Sequence, residues 1–389
     1  MMIFERWLAV PGTLVLLGLA GAAAKLVYGE HALGTSAAVP WGSLIAGYVF
    51  FAAAATGVGL IGSFGHFSRR PAYAALERRS LFLALSLLLP GFGLIGIELG
   101  NPFNLIYIML SPNLHSGIWW MGFLYSIYMA LLFVEAYFSQ VDPGHKSLPL
   151  VGGAAVINKL AAVVNLGAIF ALVATRPFWY GLYFPAYILL TAVLSGAAAL
   201  AVALRLTGRW RGRAVADETT AGLAKVMLVA LILTVIMNAG KLYSGLAADD
   251  PALRAATAAL VSGPLALRFW IIEAGLGLAV PLFLLAGAGG DGRRIFRAAI
   301  LVLIGVFFMR LDFIMAGQII PQVVVEGVQA AVFNAYSPSW AEWALIGGAA
   351  GASSLLYAFC EKRFKLDAGE AAATPAAVAD TAAPQGISQ

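Results

Sequence analysis

Two charged residues, Arg310 and Asp312, interrupt a long apolar run in the last quarter of this 389-residue chain. A charge at the centre of a lipid bilayer costs about 3 kcal/mol, so such residues usually mark a route for a proton, an ion or a substrate. Residues two apart on a helix point to nearly opposite sides and cannot satisfy each other. The pair therefore predicts either a proton-conducting chain or two separate ion pairs with other helices.

Four more ionisable residues are predicted at or near the ends of apolar segments. Glu98 and His115 lie at predicted outer ends, where they could exchange protons with a quinone head group or be ordinary interfacial side chains. Glu273 is predicted about 7.5 Å inside an outer end, at 1.5 Å per residue, and should need a partner on another helix. Glu135, near a predicted inner end, could form the mouth of a proton path or reach the interface by snorkelling.

Composition places these residues in a membrane protein. Hydrophobic residues make up 61% of the chain, charged residues 11%, and the mean hydropathy is +0.88. Runs such as LFLALSLLLPGFGLIGIEL lack the alternation of barrel strands, so the prediction is an all-α bundle of ten spans. The spans, each roughly the 20 residues that cross a bilayer, are approximately 8–27, 41–65, 80–99, 117–138, 154–174, 181–204, 222–241, 268–289, 298–320 and 340–360.

The arrangement of the spans follows from charge and composition. Of the 24 Lys and Arg residues, 18, Lys159 among them, fall on the side of the N-terminus, which predicts that both termini are cytoplasmic and excludes a nucleic-acid partner. We expect the first span to stay in the protein as a transmembrane helix and not to be cleaved as a signal peptide. We expect one membrane domain over 1–365, built as two four-helix bundles with peripheral helices, and a disordered cytoplasmic tail over 366–389.

The histidines and the lone cysteine limit the cofactors. His31, His66, His115 and His145 are all predicted in loops or at helix ends, so no two of them suit a membrane haem. Cys360 alone cannot hold an iron–sulfur cluster, and no metal site is predicted. The outer loops over 100–120 and 321–340 are apolar and aromatic, which is typical of surfaces that dock a partner subunit.

Five motifs, in this order, resemble the polysulfide reductase membrane-subunit family, also called NrfD-like, and in particular its ten-helix branch. The motifs are VPWGSLIAGYVFFAAAATGVGL, GIELGNP, RFWIIEAGLGLAVPLFLL, MRLDFIMAGQ and YSPSWAEW. The resemblance covers about residues 5–363. It implies the membrane anchor of a respiratory oxidoreductase in a bacterial or archaeal cytoplasmic membrane. An iron–sulfur subunit and a molybdopterin catalytic subunit would lie on the outer face.

The resemblance also implies where the chemistry occurs. Menaquinone or ubiquinone would be the substrate at a cofactor-free site near the periplasmic face. The motif residues Trp41 and Asn101 would complete that site with Glu98, His115 and Glu273.

A proton path is implied as well. It would include Arg310, Asp312, Glu135 and the motif residue Gln318.

The chain departs from the family pattern at three positions. Asn165 lies where the hydrogenase branch carries a His-Gln-Ser-Ser-Leu-Gly run, Asp312 stands where Asn is frequent, and Lys241 replaces an expected acidic residue. A sulfur-compound or other molybdenum reductase is therefore the favoured partner over a hydrogenase. Two alternatives remain open: a secondary transporter, which would also carry intramembrane charges, and a structural anchor whose site has decayed.

Overall fold

The computed structural model describes residues 2–68, 71–211, 217–322, 333–364 and 366, and these are mostly helical, with no strand among them. Ten of the described helices are long and apolar enough to cross a membrane, which confirms the all-α multi-pass prediction. We number them α1 to α10: Met2–Tyr28, Ser43–Ser68, Pro71–Glu98, Gly117–Val141, Leu148–Ala171, Tyr183–Arg211, Asp217–Leu246, Ala266–Ala286, Gly292–Gln318 and Trp340–Arg363. Short helices over Tyr107–Leu110 and Pro251–Val261 lie between them.

The helices form two four-helix bundles and a peripheral pair. Helices α2, α3, α4 and α5 pack around one centre, and α6, α7, α8 and α9 pack around a second. Helices α1 and α10 pack on each other, and α10 also rests on α3. This is the arrangement that the sequence predicted.

The two bundles meet where α2 crosses α6. A Cβ on Gly196 would lie 2.7 Å from the Cα of Gly57, so only glycine allows the two backbones to approach this closely. Buried residues of both bundles therefore face each other across a thin boundary.

Helix α9 begins six residues before its predicted start. The Asp291 side chain caps it by accepting a hydrogen bond of 2.8 Å from the backbone N–H of Arg293, so polar residues around 291–297 are helical. As a result, Arg310 and Asp312 lie about 12 Å and 9 Å below the outer end of the helix, at 1.5 Å per residue. They belong to the outer half of the span rather than to its middle.

Helix α8 is irregular in a way that the sequence did not predict. It begins as a short α-helix, is a π-helix over Phe269–Ala279, and returns to α-helix at Val280. π-helical turns are rare and are frequent at functional sites. Here the π-helix carries Glu273, whose side chain is buried against neighbouring helices.

Two predictions fall outside the described residues. They are the disordered tail, apart from Leu366, and the apolar loop over 323–332.

Candidate functional site

A cavity lies between α6, α7, α8 and α9 in the outer half of the second bundle. Its volume is about 40 Å³. Six of the lining side chains carry polar groups, and the others are apolar; the polar six are Tyr183, Tyr187, Asn238, Lys241, Glu273 and Asp312. Largely apolar walls with a few convergent polar groups are the usual features of a small-molecule site.

Glu273 is held by a chain of hydrogen bonds across the cavity. The Tyr183 hydroxyl donates to Asn238 Oδ1 at 3.0 Å, and Asn238 Nδ2 donates to Glu273 Oε1 at 3.2 Å. The expectation that Glu273 needs a partner on another helix is confirmed, because Asn238 lies on α7.

Asp312 has a different partner. Arg268 Nε donates to Asp312 Oδ1 in a buried ion pair between α8 and α9. The second oxygen, Oδ2, accepts no hydrogen bond from a protein donor in the described part of the chain.

The Glu273 and Asp312 carboxyl groups both line the cavity and are close enough to interact electrostatically. Ionising both of two neighbouring buried carboxyl groups is costly, so one of them can hold a proton. The pair can therefore accept and release a proton at the wall of the cavity.

Arg310 points away from Asp312, as the two-residue spacing predicted. Its Nη2 donates to Thr191 Oγ1 at 2.6 Å, and its guanidinium lies 5.8 Å from the ring centre of Tyr187. The side chain is wholly buried, and its Nε and Nη1 have no hydrogen-bond partner among the described residues. Arg310 is therefore a buried cation with N–H groups available to water or substrate.

Lys241 is a member of the cavity wall that sequence reasoning treated only as a departure from the family. Its Nζ donates to the carbonyl oxygen of Phe178 at 2.9 Å and lies 4.8 Å and 5.3 Å from the ring centres of Phe178 and Tyr183. The signal that could have identified it is a lone lysine within the apolar part of a span.

Gln318 and Trp41 hold each other at the outer surface. The Trp41 backbone N–H donates to Gln318 Oε1 at 3.1 Å, and Gln318 Nε2 donates to the Trp41 carbonyl oxygen at 2.9 Å. These bonds occupy the Gln318 amide at the outermost turn of α9. The geometry therefore gives Gln318 a role in positioning the Trp41 backbone.

Trp41 does not line the cavity but connects to it through aromatic rings. It stacks on Trp179 with ring centres 5.2 Å apart and meets Phe170 edge-on at 5.4 Å. Phe170 in turn contacts Phe313, a lining residue, at 4.8 Å.

Glu98, His115 and Asn101 lie outside the cavity lining, so the structure does not bring the predicted quinone-site cluster together. Glu98 ends α3 in the first bundle, where its charged neighbours include Lys25 and Glu342. His115 is exposed in the loop before α4. Asn101 is exposed and accepts a bond of 3.1 Å from the Phe103 backbone N–H, which makes it a helix cap.

Glu342 forms a structural brace beside Glu98. It accepts hydrogen bonds from the Tyr336 hydroxyl at 2.6 Å, the Ser43 hydroxyl at 3.0 Å and the backbone N–H of Gly34 at 2.7 Å. Burial, followed by the bond to Glu342, raises the pKa of the Tyr336 hydroxyl well above its usual range, so Tyr336 stays a donor. The brace joins α10 to the start of α2 and to the loop before it.

Glu135 lies in the inner half of the first bundle, far along the chain from the other predicted path residues. Its Oε2 is 3.5 Å from the Nζ of Lys159. Sequence reasoning counted Lys159 with the basic residues of the inner surface, but its side chain is wholly buried on α5.

The outer loop before α4 exposes several large apolar side chains, including Phe103, Tyr107, Leu110 and Leu114. Within the described ranges, no three His, Cys, Asp or Glu residues are grouped closely enough to hold a metal ion.

Comparisons with known proteins bear on this arrangement. A 24% identical relative over 348 residues, covering 86% of both chains, is the Hdr-like menaquinol oxidoreductase integral membrane subunit of Archaeoglobus fulgidus. A selenate reductase subunit of Mesobacillus selenatarsenatis is 20% identical over 360 residues, which cover 82% of this chain and 84% of that protein. Residues 31–322 match the model of the family described as polysulphide reductase, NrfD. Because that match spans most of the chain, this protein belongs to the polysulphide reductase NrfD family.

Proposed function

We propose that this protein is the quinone-reactive membrane subunit of a multi-subunit respiratory oxidoreductase in a bacterial or archaeal cytoplasmic membrane. It exchanges electrons with an iron–sulfur subunit docked on its outer face, which serves a molybdopterin enzyme such as a sulfur-compound reductase. The chain is not catalytically complete alone. Support comes from the family, and from relatives whose names place them in a menaquinol oxidoreductase and a selenate reductase.

The observation that carries the proposal is the cavity with the Glu273–Asp312 pair at its wall. Oxidation of a quinol releases two electrons and two protons, and the protons need nearby acceptors. Glu273 and Asp312 can accept them, while Lys241 and Asn238 can donate to the quinone oxygens. The electrons leave for the partner's cluster.

Docking of that partner is supported by the exposed apolar loop over 103–114. Large apolar patches on a water-facing surface usually mark a protein contact.

We also propose that proton transfer across the membrane accompanies quinone turnover. Asp312 and Arg310 form its outer part and Glu135 its inner mouth. Gln318 is left out because its amide is fixed against the Trp41 backbone.

The test is quinol turnover by the purified complex carrying Glu273→Gln. We expect turnover to fall by about a hundredfold, the usual contribution of a positioned proton acceptor. Glu218→Gln is the matched control, because Glu218 is an exposed carboxylate on α7 outside the cavity.

Glu98→Gln and His115→Ala decide between the two locations. If these variants lose turnover and quinone affinity while Glu273→Gln keeps both, the quinone site lies at the end of α3 and the cavity is not the site. If all variants retain full turnover, the proposed function is wrong for this chain.

A further inference from the structure

The first bundle contains a row of buried protic side chains that the proposed quinone chemistry does not use. Tyr48, Tyr125 and Tyr128 are buried on α2 and α4, and Lys159 is wholly buried on α5. Charged side chains inside a membrane bundle are rare and, even when they are paired, usually mark a route for protons, ions or substrates.

The outer end of this row reaches the second bundle. The Tyr125 hydroxyl lies 3.4 Å from Thr56 Oγ1, and its charged neighbour is Arg310. The Nε and Nη1 of Arg310 have no protein partner within the described ranges. Such buried N–H groups commonly recruit ordered water, which can bridge them to a neighbouring hydroxyl.

The inner end of the row reaches Glu135. Tyr128 follows Tyr125 with ring centres 6.3 Å apart, and Lys159 Nζ lies 5.9 Å from the Tyr128 ring centre. Lys159 Nζ donates to Ser63 Oγ at 3.0 Å and lies 3.5 Å from Glu135 Oε2.

Gly59 on α2 keeps Tyr128 and Lys159 together. A Cβ at this position would lie 3.2 Å from Lys159 Cε and would collide with the Tyr128 hydroxyl. Both side chains therefore pack against the α2 backbone at a position where any residue larger than glycine would collide with them.

We propose that Lys159 is the proton-carrying link of a path that runs from Glu135 through Lys159, Tyr128 and Tyr125 to water held by the N–H groups of Arg310. This proposal rests on the proposed function, because it connects the inner surface to the quinone cavity. At each step one N–H or O–H bond breaks as another forms, so Lys159 takes a proton from the Glu135 side and gives one to the tyrosine side. No electron moves along the path.

If Lys159 and Glu135 form only a structural ion pair, a different experimental result is expected. Arginine keeps the positive charge and can pair with a carboxylate, but it does not release its proton in proteins. Lys159→Arg therefore preserves a structural pair and blocks a path.

The experiment reconstitutes the complete complex in liposomes and measures two quantities. Quinol turnover in the presence of a protonophore reports the quinone site, and proton uptake per electron without the protonophore reports the path. We expect Lys159→Arg to assemble, to keep protonophore-released turnover and to lower coupled proton uptake about a hundredfold.

Tyr128→Phe keeps the ring and removes only the hydroxyl, together with its hydrogen bond of 3.0 Å to the Ala55 carbonyl oxygen. It should also lower proton uptake while sparing turnover. The matched controls are Tyr137→Phe, an exposed tyrosine on the same helix, and Lys225→Met, an exposed lysine on α7. Neither control should change proton uptake.

Each result decides the matter. Unchanged proton uptake per electron in Lys159→Arg and Tyr128→Phe would overturn the path while leaving the quinone function intact. Turnover without proton uptake in the unmutated complex would do the same. An unmutated complex that does not oxidise or reduce quinone at all would overturn the proposed function and the path with it.

Discussion

The Arg268–Asp312 ion pair gives a quantitative prediction about how the cavity is stabilised. The Asp312 side chain is 2% exposed and that of Arg268 is 21% exposed, and Glu273 adds a second carboxyl beside them. Arg268→Met leaves the buried Asp312 carboxylate without its counter-ion. Removing one partner of a buried pair costs about 3–5 kcal/mol. Because Arg268 is partly exposed, we expect the lower part of that range.

A double variant separates the contribution of the ion pair to stability from that of the other contacts of the Arg268 side chain. In Arg268→Met with Asp312→Asn, both charges are gone, and most of the lost stability should return because replacing both partners is often nearly neutral. Asp312→Asn alone should assemble, since Arg268 retains some contact with solvent or lipid head groups.

The assay is thermal unfolding of the purified complex together with its yield in membranes. Arg293→Met, which removes an exposed arginine at the inner end of α9, is the control and should be neutral. The reasoning is refuted if the double variant is as unstable as Arg268→Met, or if Arg268→Met is as stable as the unmutated protein.

Three further predictions concern regions around the site. Gln318→Leu should destabilise the protein by about 2 kcal/mol, because it removes two hydrogen bonds to the Trp41 backbone of about 1 kcal/mol each; proton uptake per electron should not change, and a change would return Gln318 to the path. Glu361 is buried and pairs with Arg79 and Arg211, each at 2.9 Å. Glu361→Gln should therefore lower thermal stability by about 3–5 kcal/mol, with normal turnover per assembled complex; unaltered stability would show that the pairs contribute little. Phe103→Ser with Tyr107→Ser should weaken co-purification of an iron–sulfur subunit but not the melting of this chain, whereas undiminished co-purification would place the docking surface elsewhere.

The membrane spans were predictable because hydropathy depends only on the residues that follow one another along the sequence. Long apolar runs give ten helices whatever their neighbours are, and their Gly- and Ala-rich faces favour close packing into bundles. The start of α9 was missed because the Asp291 cap lies among charged residues that lower local hydropathy. Hydropathy detects the hydrocarbon-spanning part of a helix and not its capped end.

Lateral position within the membrane was not predictable. Glu98 and Glu273 were both predicted in the outer parts of their spans, but Glu98 belongs to the first bundle and Glu273 lines the cavity in the second. Lys159 was assigned to the inner side because it was counted with the basic residues that set the orientation of the chain. Lys159 is buried because the face of α5 that carries it packs against α2 and α4. A single sequence does not show which face of a helix meets which neighbour.

The location of the quinone head group tests the central claim most directly. The complete complex would be labelled in native membranes with a photoreactive azidoquinone, digested and mapped by mass spectrometry, with excess menaquinone as competitor. We predict competitor-sensitive label on peptides that line the cavity, around Tyr183, Asn238 and Lys241. Label confined to the peptides around Glu98 and His115, with none on the cavity peptides, would contradict the account.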